Sequence, residues 1–292
     1  MAYLDEQGRV PVPGGRVWWR RIGDGPGTAL LLLHGGPGAS SLGSAEWLGD
    51  LPAERPVVFY DQLGSGASDH PDDPALWTVD RFVAELAAVR DALGLDEVVL
   101  VGHSWGTMLA TSYLAIAPEG VRGVVLSSPC LDAQQWARDQ LAHLAALPED
   151  VRETIERCER DGHTDGEEYA GAMQVFYERH LCRLDPWPES MTRMMAELNT
   201  DVYGPMWGAS EWHVTGTLGG FDARPVLPAI DVPVLMLAGE HDEATPETVR
   251  AQAELVPDAT VHVFPGASHM TYVEVPDDYR TVLTGFLAER GL

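Results

Sequence analysis

The sequence predicts an α/β fold, with a mostly parallel sheet, flanking helices and an inserted helical segment. Short apolar runs bounded by glycine, proline or polar residues alternate with stretches of helical periodicity, as expected for parallel strands joined by helices. One of these runs leads through a G-x-S-x-G pattern into a helix. From about residue 131 the strand pattern stops, and it returns only after residue 222. We therefore predict a core of residues 1–130 and 223–292, with residues 131–222 inserted as a helical cap.

Individual elements follow from the spacing of apolar residues. The segment RVWWRRIG is expected to form an edge strand with Trp18 and Trp19 on opposite faces. Helix 78–93 is expected to begin after Thr78 as its N-cap. A continuous apolar run predicts a strand buried on both faces at 28–33, and similar runs predict buried strands at 56–60, 98–101 and 232–238 and further strands at 123–127 and 260–264. Helical spacing predicts helices at 78–93, 107–117, 134–146, 148–161, 167–181 and 277–290.

Composition and charge exclude several classes of function. A formal net charge of −26 predicts a surface that repels nucleic acid and anionic membranes. The three cysteines lack the spacing of a disulfide framework or a metal site, which indicates a reducing compartment. The first residues show neither the basic nor the apolar region of a signal peptide, and no apolar run reaches the roughly 20 residues of a membrane span. We expect a cytoplasmic protein that binds neither nucleic acid nor membrane.

The pattern GHSWG at 102–106 has the strand–turn–helix context of a nucleophile elbow. Its two glycines permit the sharp turn that exposes the Ser104 hydroxyl beside the N–H groups of a helix start. Asp242 and His269 follow later strands, and the chain order Ser, Asp, His is the one this fold uses for a catalytic triad. Asp61 also follows a strand, and we interpret it as a structural residue that ties loops together.

A second glycine-rich loop, HGGPG at 34–38, follows the first buried strand. Such a loop lets backbone N–H groups approach a ligand closely, which would make it one half of an oxyanion hole. A plain tight turn is the alternative. The aromatic and methionine side chains of the cap are expected mostly to pack the cap itself, with some lining the site. They are Trp136, Phe176, Tyr177, Trp187, Met191, Met194, Met195, Tyr203, Met206 and Trp207.

Together HGGPG, DQLGSG, GHSWGT, GEHDEATP and GASHM resemble the proline iminopeptidase (prolyl aminopeptidase) and L-proline amide hydrolase family of α/β-hydrolases, which includes the tricorn-interacting aminopeptidase. RHLCRLDPWP and EWHVTGTL resemble cap segments of that family. The resemblance covers nearly the whole chain and implies an eight-stranded sheet. It also implies that the N–H groups of Gly36 and Trp105 form the oxyanion hole. A tyrosine is frequent where this chain has Trp105, and we expect that difference to change little, because only the backbone N–H is needed.

The resemblance further implies that Glu211 and Glu243 bind the amine of the substrate, a pairing that suits charge-assisted recognition. Solvated surface glutamates are the alternative. The predicted function is a serine hydrolase that releases N-terminal proline or other amino acids from short peptides or amino acid amides through an acyl-enzyme, with no metal or cofactor. An esterase or lactonase and a non-catalytic ligand-binding homologue are the alternatives, and the oligomeric state is left open. A haloalkane dehalogenase is disfavoured because it needs aspartate at the elbow.

Overall fold

The centre of the molecule is an eight-stranded sheet, seen in a computed structural model that describes residues 4–292. Its spatial order is β1-β2-β4-β3-β5-β6-β7-β8, antiparallel between β1, β2 and β4 and parallel elsewhere. This confirms the predicted mostly parallel sheet. The strands are β1 (Asp5–Val12), β2 (Gly15–Ile22), β3 (Ala29–Leu33), β4 (Val57–Tyr60), β5 (Val98–His103), β6 (Val121–Ser127), β7 (Val234–Gly239) and β8 (Ala259–Phe264).

Helices cover both faces of this sheet and form the insertion between β6 and β7. Those outside the insertion are α1 (Leu51–Glu54), α2 (Val79–Ala92), α3 (Trp105–Leu114), α9 (Pro246–Ala253), α10 (Thr271–Glu274) and α11 (Pro276–Arg290). Those inside it are α4 (Ala133–Ala145), α5 (Glu149–Asp161), α6 (Glu167–His180), α7 (Glu189–Ala196) and α8 (Thr200–Met206). The Thr78 side chain accepts a hydrogen bond from the N–H of Arg81, which confirms Thr78 as the N-cap of α2.

The two sides of the core follow from the alternation of side chains along each strand. In β3, Leu31 belongs to the cluster that includes α2 and α3, whereas Leu30 belongs to the cluster that includes α11. Both leucines are fully buried, as a strand covered by helices on both faces requires. Within residues 4–292 none of the helices is both long and apolar enough to cross a membrane.

The expected edge strand proved to be an internal one. The RVWWRRIG segment forms β2, which pairs with β4 on one side and with β1 on the other. Sequence reasoning missed β1 because DEQGRVPV carries charges, a glycine and a proline instead of an apolar run, a composition that is tolerated at a sheet edge. Trp18 and Trp19 do lie on opposite faces, against the α11 and α2 sides of the core respectively.

Candidate active site

The turn at Ser104 has the backbone geometry of a strained elbow. Ser104 lies between β5 and α3 with φ 52° and ψ −121°, a conformation that costs a non-glycine residue on the order of 1–3 kcal/mol. A Cβ at Gly102 would lie 2.4 Å from the carbonyl oxygen of Gly106, and one at Gly106 would lie 2.1 Å from that of Leu33. Only glycine fits at these two positions, so the chain can turn sharply enough to present the serine hydroxyl.

Six of the seven predicted site residues line a single cavity at the carboxyl ends of the strands. They are Gly36, Ser104, Trp105, Glu211, Glu243 and His269. The seventh, Asp242, lies fully buried behind His269, and its Oδ1 is 2.8 Å from the imidazole Nδ1. The Asp242 carboxylate also accepts hydrogen bonds from the N–H groups of Gly239 and Ala244 and lies 2.7 Å from the hydroxyl of Ser128. Sequence reasoning missed Ser128, which has no motif signal.

The oxyanion side of the cavity is built from backbone. Trp105 is the first residue of α3, and the first N–H groups of a helix have no partner within it. Gly36 has φ +105°, and a Cβ there would lie 2.7 Å from the N–H nitrogen of Ala39. A Cβ at Gly35 would lie 3.2 Å from the Cβ of Ser104, so the loop after β3 packs directly on the elbow.

The Trp105 side chain makes a contact of its own, which the expectation based on its backbone N–H did not include. Its indole is buried, and its Nε1–H donates to the Oε1 of Gln62 over 2.8 Å. Gln62 in turn donates from its backbone N–H to the His34 ring and from its side chain to the His34 carbonyl. The side chain therefore links the elbow helix to the glycine-rich loop that begins at His34. Asp61 binds Ser41 and the N–H of Ala67, in agreement with its interpretation as a loop tie.

Both glutamates line the cavity, Glu243 buried and Glu211 half-buried, so neither is a solvated surface residue. Glu211 accepts a hydrogen bond of 2.6 Å from the hydroxyl of Tyr203 and a longer one of 3.4 Å from the indole of Trp136. Glu243 is 3% exposed, and one of its oxygens has no hydrogen-bond partner among residues 4–292. Its other oxygen lies 3.7 Å from Nδ1 of His269.

Burial and mutual repulsion set the protonation of this acid pair. Burial, and then the negative charge of Glu211, raise the pKa of Glu243 well above its ordinary value. Burial also raises the pKa of Glu211, and the hydrogen bond from Tyr203 offsets part of that effect. Burial by itself lowers the pKa of His269, but the charges of Asp242 and Glu243 outweigh it and raise that pKa to about 9. A cation bound between the two glutamates would lower the raised pKa values of Glu211, Glu243 and His269 towards their ordinary values.

The cap contributes more to the cavity wall than expected. Six of its ten aromatic and methionine residues line the cavity instead of packing only within the cap: Trp136, Tyr177, Met194, Met195, Tyr203 and Trp207. The cap therefore covers the strand ends, and the site is closed over by apolar surface. Among the described residues there is no group of three His, Cys, Asp or Glu side chains that could hold a metal ion.

Comparison with known proteins agrees with this geometry. A family model for the alpha/beta hydrolase fold matches residues 28–276. A proline iminopeptidase of Heyndrickxia coagulans is 47% identical over 96% of this chain and 98% of its own length. The chain belongs to the proline iminopeptidase family of α/β-hydrolases.

Two solved structures superpose closely on the chain. The crystal structure of VinJ matches with a TM-score of 0.93 at 38% identity, covering 97% of this chain and 98% of VinJ. The proline iminopeptidase of Mycobacterium smegmatis matches with a TM-score of 0.89 at 34% identity, covering 98% of both chains. Both superpositions span the sheet and the cap, so this chain shares the whole architecture of the family.

Proposed function

We propose that this protein is a proline iminopeptidase that uses Ser104, His269 and Asp242 as its catalytic triad. Ser104 attacks the scissile carbonyl while His269 takes its proton, and Asp242 orients the imidazole and stabilises its cation. The 2.8 Å hydrogen bond between Asp242 and Nδ1 supports this assignment, because it leaves Nε2 to serve the serine. The proton passes to the leaving amine, and water then hydrolyses the prolyl-enzyme.

The tetrahedral oxyanion is held by the N–H groups of Gly36 and Trp105 in this proposal. Both residues line the cavity next to Ser104, one from the loop after β3 and the other from the start of α3. Because these donors are part of folded backbone, they need little reorganisation when the charge develops on the oxygen. Removing one such donor typically costs about 2.7–4 kcal/mol of transition-state stabilisation.

The observation that carries the substrate class is the pair of glutamates in the cavity, of which Glu243 is buried and Glu211 half-buried. Glu211 and Glu243 both line a cavity whose other residues are mostly apolar, their charges interact, and Glu243 has an oxygen without a protein partner in the described chain. A protonated N-terminal amine placed between them would be bound by both carboxyl groups, would balance one negative charge, and would set the first residue of the substrate against Ser104. The aromatic rings of Trp136, Tyr203 and Trp207 supply apolar surface for a pyrrolidine ring.

We therefore propose short peptides or amino acid amides with a free N-terminal proline as substrates. The three cysteines are buried free thiols, which supports a cytoplasmic setting. No observation favours the esterase alternative over this function.

A panel of arylamides tests the proposal. We expect kcat/KM for prolyl-arylamide to exceed that for alanyl-arylamide and to exceed that for N-acetylprolyl-arylamide at least tenfold. Fast ester turnover with no hydrolysis of prolyl-arylamide would instead identify an esterase. Failure of a fluorophosphonate to label Ser104 would favour a non-catalytic homologue.

A further inference from the structure

Three consecutive carbonyl groups of the loop that carries Asp242 are each bound by a side chain of the cap. Nδ1 of His180 lies 2.9 Å from the carbonyl oxygen of His241, and Nε2 of His143 lies 3.1 Å from that of Asp242. The side-chain N–H of Gln140 donates to the carbonyl of Glu243 over 2.8 Å. The acid loop, residues 239–245, thus takes these hydrogen bonds from α4 and α6 of the cap instead of from the sheet.

The chemistry of the two histidines settles which nitrogen carries the proton. A carbonyl oxygen only accepts hydrogen bonds, so His180 must be protonated at Nδ1 and His143 at Nε2. Their rings stack with centroids 3.9 Å apart and an interplanar angle of 27°. Burial, and then the neighbouring His143, lower the pKa of His180 to about 4, and burial also lowers that of His143. Both rings are therefore neutral donors at neutral pH.

The same cap helix also binds the loop that carries the triad histidine. The last carbonyl groups of a helix lack partners within it, and at the end of α6 two such groups find them outside. The carbonyl of His180 accepts the N–H of His269 over 3.0 Å, and that of Leu181 accepts the N–H of Met270 over 2.9 Å. His180 consequently contacts both catalytic loops, one through its ring and the other through its backbone.

We propose that Gln140, His143 and His180 are positioning residues. Through them the cap aligns Asp242, the acid of the triad, and Glu243, which binds the substrate amine (the amine anchor). This inference rests on the proposed function, since it concerns the alignment of Asp242 and His269. His143 and His180 hold in position the backbone of Asp242 and His241, and Asp242 orients the His269 imidazole. Loss of these hydrogen bonds should therefore lower kcat. Gln140 holds the backbone of Glu243 in position, and Glu243 binds the substrate amine. Loss of this hydrogen bond should therefore raise KM for substrates with a free amine. A small displacement of a catalytic group is enough to slow the reaction measurably.

Paired substitutions separate the hydrogen bond from the packing at each histidine. His180→Asn and His143→Gln place an amide nitrogen where the ring N–H was, whereas His180→Phe and His143→Phe keep a stacked ring without a donor. We expect the Phe variants to lose about 3- to 10-fold in kcat for prolyl-arylamide and the amide variants to recover most of it. A packing role predicts the reverse order and would overturn the proposal.

Gln140→Met keeps the size of the side chain and removes the donor to the Glu243 carbonyl. We expect KM for prolyl-arylamide to rise about 3- to 10-fold while kcat/KM for a neutral ester stays within twofold of wild type. Equal losses on both substrates, or no loss on either, would contradict a role in placing the amine anchor.

Controls distinguish this proposal from the proposed function and from misfolding. His163→Phe changes an exposed cap histidine and is expected to leave kcat and KM unchanged. Thermal unfolding midpoints identify variants that are merely unstable, and the low-field proton resonance of Nδ1–H in His269 reports its bond to Asp242 directly. We expect that resonance to shift in His180→Phe and to return in His180→Asn. An inactive wild type would sink the proposed function, whereas an active wild type with unaltered Phe variants would sink this inference alone.

Discussion

The two sides of the cavity are built by different physical means. On the oxyanion side, the groups offered to the substrate are backbone N–H donors in glycine-rich loops that directly follow β3 and β5. On the amine side, they are the carboxyl groups of Glu243 in the acid loop, which is buried, and of Glu211 at the end of the cap, which is half-buried. Backbone N–H donors at the start of a helix cost little free energy to bury. Carboxyl groups removed from water keep a raised pKa unless a cation binds beside them. In the proposed function, the first side therefore supports the chemistry and the second selects the substrate.

Ser104→Ala breaks the chemical side alone and has the largest expected effect. We expect kcat to fall on the order of 10⁶-fold for every substrate, as in another serine hydrolase whose triad members act as a unit. The amine side is untouched, so calorimetry should still detect binding of a prolyl dipeptide, and circular dichroism should show a folded protein. Substantial residual hydrolysis by the folded variant would refute the assignment of the nucleophile.

Glu211→Gln and Glu243→Gln weaken the side that selects the substrate and leave the nucleophile and the oxyanion donors in place. Each keeps the size of the side chain and removes a charge, so a charge-assisted hydrogen bond worth about 1.5–3 kcal/mol is lost. We expect kcat/KM for prolyl-arylamide to fall about 10- to 150-fold. N-acetylprolyl-arylamide lacks the ammonium and should lose nothing further. If both substrates lost equally, the substitution would have disturbed the triad instead of the anchor.

Trp105→Phe sharpens the comparison on the oxyanion side. It removes the indole N–H that binds Gln62 but leaves the backbone N–H at position 105 in place. We expect kcat to fall about 2- to 12-fold, the range of a neutral hydrogen bond, on charged and neutral substrates alike. Trp187→Phe is the matched control, because that indole binds only a carbonyl within the cap, that of Cys182. A loss confined to free-amine substrates would contradict the role in the oxyanion loop.

The pH profile tests the electrostatic link between the two sides. The pKa of His269 is raised to about 9 by neighbouring carboxylates, and a general base must be neutral, so kcat/KM for a neutral substrate should decline as pH falls below that value. Glu243→Gln removes one of these negative charges and should move the decline to lower pH. The pH at which kcat/KM declines should be unchanged in His163→Phe. If the decline occurred at the same pH in Glu243→Gln, Glu243 would not be raising the pKa of His269.

Much of the fold was accessible from the sequence because it depends on local patterns. Five strands appear as apolar runs, since a strand buried on both faces excludes polar residues, whereas β8 lies at the edge of the sheet and buries only Phe264. The edge strand β1 was missed for the opposite reason, because half-exposed pairing with β2 requires no apolar run. The short helices α7 and α8 carry too few turns to show a clear helical period.

The sequence by itself determined those parts of the site whose conformation depends on residues nearby in the chain. The Ser104 turn depends on Gly102, because a Cβ there would collide with the backbone of Gly106, four residues further along the chain. Only the tertiary structure decided that Glu211 faces Glu243 and that Gln140, His143 and His180 bind the acid loop. The physical reason is that hydrogen bonds and charge interactions act over a few ångströms in space, and segments far apart in the chain reach that distance only when the cap docks on the sheet.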